Sequence, residues 1–190
     1  MWNLPNILAI FRVLLAPLFF YLILLAGNAD SSGMVGAVHV SWINYFAALT
    51  FVIASVTDFF DGFIARSWNQ ITKFGGIIDP LADKMLTLAG FLGLMYIDRA
   101  SPWAVYLILI REFFITGFRT VMVSENISVS ASMAGKVKTV SQMFAIGFLT
   151  MQWSGGNFLL WLAVALTLYS GLEYILAYAK NHKKNAKATE

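Results

Sequence analysis

The sequence predicts an all-α integral membrane protein with six transmembrane helices. Hydrophobic residues make up 59% of the chain and charged residues 12%, whereas roughly 25% of residues are charged in soluble domains. Between Val13 and Thr57 the only formal charge is Asp30. A helix needs about 20 apolar residues to cross the hydrocarbon core of a bilayer. The sequence contains six apolar runs of that length or nearly that length. The chain has no cysteine, which excludes disulfides and thiolate metal sites.

The six predicted spans are separated by segments with glycine, serine, asparagine and proline, which favour turns. A cleaved signal peptide is disfavoured, because no basic leader precedes the first run and Arg12 lies inside it. We instead expect a short interfacial segment before that run. A single membrane domain over residues 1–179 is followed by a basic polar tail over residues 180–190, which anionic head groups would attract. The spans are predicted at about 7–26, 42–60, 81–97, 103–123, 140–153 (starting nearer Ala134) and 158–179.

The basic residues predict the orientation of the helices. If the chain starts inside and alternates, 12 of its 13 lysines and arginines fall on or near the inner face, and only Arg99 falls outside. This distribution follows the positive-inside rule. We therefore expect a multi-pass membrane protein with both termini in the cytoplasm, and the loop from Gly27 to Ser41 outside.

Four of the ten acidic residues gather around the turn between the second and third spans. Asp58 and Asp61 are three residues apart and Asp79 and Asp83 are four apart, so each pair shares one helical face. Four carboxylates near one membrane surface need compensating charge. Two divalent ions would supply it, and oxygen-only ligands favour magnesium or manganese. A pair of such ions about 4 Å apart can clamp a phosphoryl or pyrophosphate group.

Other interpretations apply to single members of this set. Asp79 precedes Pro80 and could be a helix N-cap followed by proline at the first helical position. Gly62 and Gly75 lack side chains and would let a ligand approach the backbone, although membrane helices also use small residues for close packing. Arg66 could meet a phosphate or anchor the helix at the surface.

These residues resemble the signature of the CDP-alcohol phosphotransferase family. The segment reads Asp58-x2-Asp61-Gly62-x2-Ala65-Arg66-x8-Gly75-x3-Asp79-x3-Asp83, and we call it the aspartate motif. The resemblance implies a membrane enzyme, typically with six helices and homodimeric, that transfers a substituted phosphate from a cytidine diphosphate-linked donor to an alcohol and releases CMP.

The resemblance also implies roles for individual residues. Asp58, Asp61 and Asp79 would be primary ligands of Mg2+ or Mn2+, with two ions expected. Asp83 would be the general base and a further metal contact. Four further residues would lie near the cytidine diphosphate of the donor. They are Gly62, Arg66, Thr72 and Gly75.

Three other segments resemble family members that join CDP-diacylglycerol to sn-glycerol 3-phosphate, giving phosphatidylglycerophosphate and CMP. They are Asn3 to Arg12, Arg111 to Arg119 and Gly135 to Gln142. The first departs from the family at Ala9, where many members have threonine. By this resemblance the acceptor phosphate is held by Arg111, Arg119 and Lys136, with Lys138 as a further member.

Physical reasoning leaves alternatives for these basic residues and for the function. Arg111 and Glu112 lie within an apolar span, where charges usually have a function, but they could pair with each other or with another helix. The acceptor could be a different alcohol, such as inositol phosphate, serine or phosphatidylglycerol; the basic residues favour a phosphorylated one. A non-enzymatic cation transporter is disfavoured, because the aspartates gather at one surface rather than near the midplane.

Overall fold

A computed structural model describes residues 4–29, 32–67, 75–124 and 133–186, with the backbone alone at residues 4–5, 59–67, 75–80, 83, 123–124 and 180–186. Over these residues the chain folds into six helices, one for each predicted span, which confirms the all-helical class. Two short strands precede the second helix. The elements are α1 Leu4–Gly27, β1 Met34–Val35, β2 Val38–His39, α2 Val40–Ser67, α3 Gly75–Tyr96, α4 Pro102–Ser124, α5 Met133–Thr150 and α6 Gly156–Ala186.

The helices are longer than the apolar runs that predict them. α2 continues from the predicted end near residue 60 to Ser67, and α3 begins at Gly75 rather than near residue 81. α6 continues through the first part of the polar tail to Ala186. A helix satisfies its own backbone hydrogen bonds, so it can extend beyond the apolar run that enters a bilayer. The predicted interfacial segment lies partly outside the described residues, since α1 begins at Leu4.

A small hairpin between α1 and α2 was not predicted. Met34 pairs with His39 and Val35 with Val38, in antiparallel register. Gly36 takes a positive φ of 60° at the first turn position, a conformation that glycine adopts without steric cost and that two-residue hairpins need. The apolar-run pattern cannot predict so short a pair of strands.

Three of the described helices are long and apolar enough to cross a membrane by length and composition. These spans are Asn6–Gly27, Val40–Asp58 and Gly156–Ala179, and a shorter apolar helix covers Lys84–Tyr96. The other helices carry charged side chains within their length, which reduces their apolar character. The chain is therefore a multi-pass membrane protein, while the count of six spans and the side on which each terminus lies stay predictions.

The chain divides into two compact units. Unit 1 comprises residues 1–100 and 146–154, and unit 2 comprises residues 101–145 and 155–190. In unit 1, α1 packs along both α2 and α3, and the rings of Phe19 and Phe51 lie 5.1 Å apart. Gly93 permits the close approach of α1 and α3, because a Cβ there would lie 3.1 Å from Ile23 Cγ2. Gly90 lies on the same seam, where a Cβ would meet Phe19 at 3.2 Å.

Unit 1 also contains a half-buried cation in the turn before α4. The Arg99 guanidinium donates to Asn44 Oδ1 at 2.8 Å and to the Thr150 carbonyl at 3.0 Å. Burial lowers the pKa of Arg99, because desolvation disfavours its charged form. Arginine nevertheless stays protonated near neutral pH, so the hydrogen bonds to neutral oxygens satisfy a permanent charge.

In unit 2, α4 packs against α6 through aromatic side chains. The Phe118 ring lies 5.0 Å from that of Tyr178 and 6.5 Å from that of Tyr174, edge to face in both cases. A buried hydrogen bond of 2.9 Å from Gln142 Nε2 to Thr167 Oγ1 joins α5 to α6. The three helices of this unit are therefore connected by polar as well as apolar contacts.

Candidate active site

The aspartate motif occupies α2 and α3, two helices of unit 1. Asp58 and Asp61 lie in α2, and Asp79 and Asp83 lie in the first turns of α3. Spacings of three and four residues place each pair within about one helical turn. Both helices pack on α1, so α1 is the common neighbour of the two segments that carry the aspartates.

Asp58 is the one predicted residue of this motif whose side chain is among those described. Thr72 lies outside the described residues. At the remaining predicted positions the structure describes a helical backbone but not the side chains. These positions are Asp61, Gly62, Arg66, Gly75, Asp79 and Asp83. Their convergence on one ligand stays a prediction.

Asp58 forms an ion pair with Arg12 of α1. The Arg12 Nη1 group donates to Asp58 Oδ1. The arginine side chain is fully buried, whereas 37% of the Asp58 side chain is exposed. A buried guanidinium needs a counter-charge, and removing its partner is costly. Sequence reasoning placed Arg12 at the start of the first span and in a segment that resembles the family, but gave it no partner. A lone charge inside an apolar run indicates that such a partner exists.

The described part of the motif offers one possible ligand for a divalent metal ion. Asp58 supplies a carboxylate oxygen, the ligand that magnesium and manganese prefer. More than a third of its side chain is exposed, so it keeps an open side besides the one that faces Arg12. Within the described side chains, no group of three or more acidic or histidine residues forms a metal site. The proposed ligand set therefore depends on the other three aspartates.

A second charged cluster lies in unit 2. The carboxylate Oε1 of Glu112 accepts hydrogen bonds from Lys138 Nζ of α5 and, at 3.3 Å, from Nη1 of the adjacent Arg111. The exposed fractions of the side chains are 11% for Arg111, 10% for Lys138 and 22% for Glu112. We call these three residues the Glu112 cluster. It holds two positive charges and one negative charge.

Neutral side chains hold this cluster in place. Gln142 of α5 hydrogen-bonds Glu112 and is itself joined to Thr167 of α6. Arg111 Nη2 donates to Ser170 Oγ of α6 at 2.9 Å. The guanidinium lies against Gly171, where a Cβ would be 3.1 Å from Arg111 Nε. Arg111 is thus held from α6 and Glu112 from α5.

The other two predicted acceptor residues have a different environment. Arg119, on α4, and Lys136, on α5, are both exposed. Arg119 lies eight residues after Arg111, so the two positions share a face of α4. The structure therefore divides the four basic residues into two that are buried and paired with Glu112 and two that are exposed.

Sequence reasoning missed the polar residues that surround the Glu112 cluster. Gln142 and Ser170 are buried, and buried polar groups generally have hydrogen-bond partners. Their position within apolar runs was a signal of such partners. The identity of the partners depends on how α4, α5 and α6 pack, which a single sequence does not reveal.

Comparisons with known proteins agree with these features. Residues 2–169 match the family model described as CDP-alcohol phosphatidyltransferase. A CDP-diacylglycerol–glycerol-3-phosphate 3-phosphatidyltransferase of Bacillus subtilis is 38% identical over 95% of this chain and 96% of its own length. Proteins of the same name are 37% identical in Rickettsia felis, over 94% of this chain and 96% of the relative, and in Escherichia coli K12, over 93% and 94%.

Proposed function

Because the chain belongs to the CDP-alcohol phosphatidyltransferase family, we propose that it transfers the phosphatidyl group of CDP-diacylglycerol to sn-glycerol 3-phosphate. The products are phosphatidylglycerophosphate and CMP, in the synthesis of anionic phospholipid. The observation that carries this proposal is similarity at 38% identity, over nearly the full length of both chains, to a relative whose name states this donor and acceptor.

Asp58, Asp61 and Asp79 would hold the divalent ion or ions, Mg2+ or Mn2+, with Asp83 completing the set. The family is generally dependent on divalent metal. When bound, the ions neutralise the diphosphate and polarise it toward attack. The exposed carboxylate of Asp58 supports this assignment, and its pairing with Arg12 holds it in place. Gly62, Arg66, Thr72 and Gly75 would lie around the cytidine diphosphate.

Asp83 would act on the acceptor hydroxyl. Its carboxylate takes the proton of the glycerol 1-hydroxyl as that oxygen bonds to the β-phosphorus of CDP-diacylglycerol. The bond from the β-phosphorus to the bridging oxygen breaks, and CMP leaves with that oxygen. An aspartate is a weak base for an alcohol, so orientation of the two substrates supplies much of the rate.

The basic residues of unit 2 would bind the phosphate of the acceptor. Arg119 and Lys136 are exposed and can meet a charged solute. Arg111 and Lys138 are largely buried and carry one more positive charge than Glu112 neutralises. Glycerol 3-phosphate carries close to two negative charges near neutral pH, because the second pKa of a phosphate monoester is about 6. An excess of positive charge supports a phosphorylated acceptor over serine.

An acceptor screen with purified protein tests this function. The protein is incubated with radiolabelled CDP-diacylglycerol and, in separate reactions, glycerol 3-phosphate, inositol phosphate, serine or phosphatidylglycerol. We expect CMP release and a phosphatidylglycerophosphate product with the first acceptor. Preference for another alcohol would overturn the choice of acceptor. Failure to release CMP with any of them would favour a non-enzymatic role such as cation transport.

We further propose a homodimer in the bacterial inner membrane, with both termini and the active site facing the cytoplasm. The 12-to-1 distribution of basic residues supports this orientation. The chain has no cysteine, so single cysteines can be introduced at Ser31 and Lys187 and labelled with an impermeant reagent. From outside, we expect labelling of Ser31→Cys alone. Labelling of Lys187→Cys alone would show that the topology is inverted.

A further inference from the structure

The Glu112 cluster contains a carboxylate that the proposed reaction does not use. Lys138 Nζ and Arg111 Nη1 converge on one oxygen, Glu112 Oε1, from two different helices. Like charges repel, and the two cations are largely buried, with 10% and 11% of their side chains exposed. Glu112 is therefore the counter-charge that lets both cations occupy the same small region.

The two cations differ in how firmly they are held. Arg111 also bonds Ser170 and packs against Gly171, and its planar guanidinium is rigid. The Lys138 ammonium is a point charge on a flexible stem of four carbons. Within the described residues, the Lys138 ammonium donates a hydrogen bond to Glu112. Loss of the Glu112 charge would therefore displace the Lys138 ammonium more than the Arg111 guanidinium.

Glu112 is itself fixed and partly open. Gln142 hydrogen-bonds its carboxylate and is anchored to Thr167. With 22% of its side chain exposed, Glu112 is less buried than either cation. The net charge of the cluster is one positive unit, so an arriving phosphate is attracted even while Glu112 is ionised.

We propose that Glu112 is a positioning residue for the acceptor phosphate. Its carboxylate holds the Lys138 ammonium beside Arg111 in the orientation that receives the phosphate of glycerol 3-phosphate. This inference rests on the proposed function, since it assumes that Arg111 and Lys138 belong to the acceptor site.

The test compares Glu112→Gln with Glu112→Asp and with a matched control. Glu173→Gln removes the negative charge from another glutamate of unit 2, on α6 and outside the Glu112 cluster. For each purified variant, the Michaelis constants of glycerol 3-phosphate and of CDP-diacylglycerol are measured separately, with the other substrate saturating. We expect Glu112→Gln to raise the constant for glycerol 3-phosphate roughly tenfold, within the range of coupling between contacting residues. The constant for CDP-diacylglycerol should stay within about twofold of the unmutated value.

Glu112→Asp keeps the charge on a shorter side chain, so its constant for glycerol 3-phosphate should lie between those of the unmutated protein and Glu112→Gln. A double-mutant cycle with Lys138→Met then asks whether Glu112 acts through Lys138. If it does, Glu112→Gln adds little to the defect of Lys138→Met. The double variant also lacks the unpaired lysine, so it serves as the comparison if Glu112→Gln alone folds poorly.

Three outcomes would overturn the proposal: a lower turnover with unchanged Michaelis constants, a shift confined to CDP-diacylglycerol, or fully additive effects in the cycle. A defect equal to that of Glu173→Gln would also do so, because it would show a general effect of charge removal. If the unmutated protein forms no phosphatidylglycerophosphate at all, the proposed function fails instead. The two failures are therefore distinct.

Discussion

The Arg12–Asp58 pair of unit 1 and the Glu112 cluster of unit 2 differ in which charge is in excess. The aspartate motif contains four aspartates, and one of them, Asp58, is paired with Arg12. Glu112 neutralises one of two neighbouring cations, so positive charge remains. In each unit the more numerous charged residues have the sign opposite to that of the proposed ligand: a divalent cation in unit 1 and a phosphate in unit 2.

The largest expected effect on activity is that of replacing the aspartates of unit 1. Asp58→Asn, Asp61→Asn and Asp79→Asn should each remove most activity, at least about a hundredfold, because metal ions contribute several kcal/mol to transition-state stabilisation. CMP release is measured with excess magnesium or manganese. Asp98→Asn is the matched control: Asp98 lies outside the motif, at a φ of 59° that asparagine also tolerates. Full turnover in a chelating buffer would refute the metal assignment.

Asp83→Asn should reduce turnover by roughly 10²- to 10⁴-fold, the usual contribution of a general base, while donor binding is largely retained. Its carboxylate acts on the hydroxyl in the transition state, so its loss should appear in kcat. The measurement is single-turnover CMP release alongside equilibrium binding of CDP-diacylglycerol. Normal turnover at saturating donor, with affinity alone reduced, would assign Asp83 to the donor site.

Arg119→Ala and Lys136→Ala test whether the basic residues of unit 2 bind the acceptor phosphate. A charge-assisted hydrogen bond contributes about 1.5–3 kcal/mol, so losing one should raise the Michaelis constant of glycerol 3-phosphate by roughly ten- to a hundredfold. The constant for CDP-diacylglycerol should change little. Each substrate is titrated with the other saturating. An increase confined to CDP-diacylglycerol would move these residues to the donor site, and no change in either would leave them a role in topology alone.

The smallest expected effect on activity is that of Arg99→Met. Arg99 is a half-buried cation whose described hydrogen bonds go to neutral oxygens of Asn44 and Thr150. Loss of these bonds should reduce the free energy of unfolding by about 1.5–3 kcal/mol each. Both Michaelis constants should stay unchanged. Thermal unfolding in detergent measures the first and CMP release the second; a selective change in either substrate constant would contradict this purely structural role.

The sequence predicts the six helices because long apolar runs have few alternatives to a helix in a bilayer. It does not predict their ends, since the continuation of α2 to Ser67 depends on polar residues that a helix accommodates outside the hydrocarbon core. The aspartate motif is local and could be found by its spacing. The pairing of Arg12 with Asp58, 46 positions apart, and of Lys138 with Glu112 depends on helix packing, which spacing along the chain does not encode.

The glycine seam between α1 and α3 has a consequence for substitutions far from the aspartates. Gly93 packs against Ile23, which lies eleven residues along α1 from Arg12, or about 16 Å at 1.5 Å per residue. Pro17 lies in α1 between these two residues, and a proline inside a helix is a place where the helix bends. A methyl group at Gly93 would therefore push the part of α1 beyond Pro17 away from α3, about three helical turns from Arg12. Substitutions along this seam can thus destabilise unit 1 without touching any substrate.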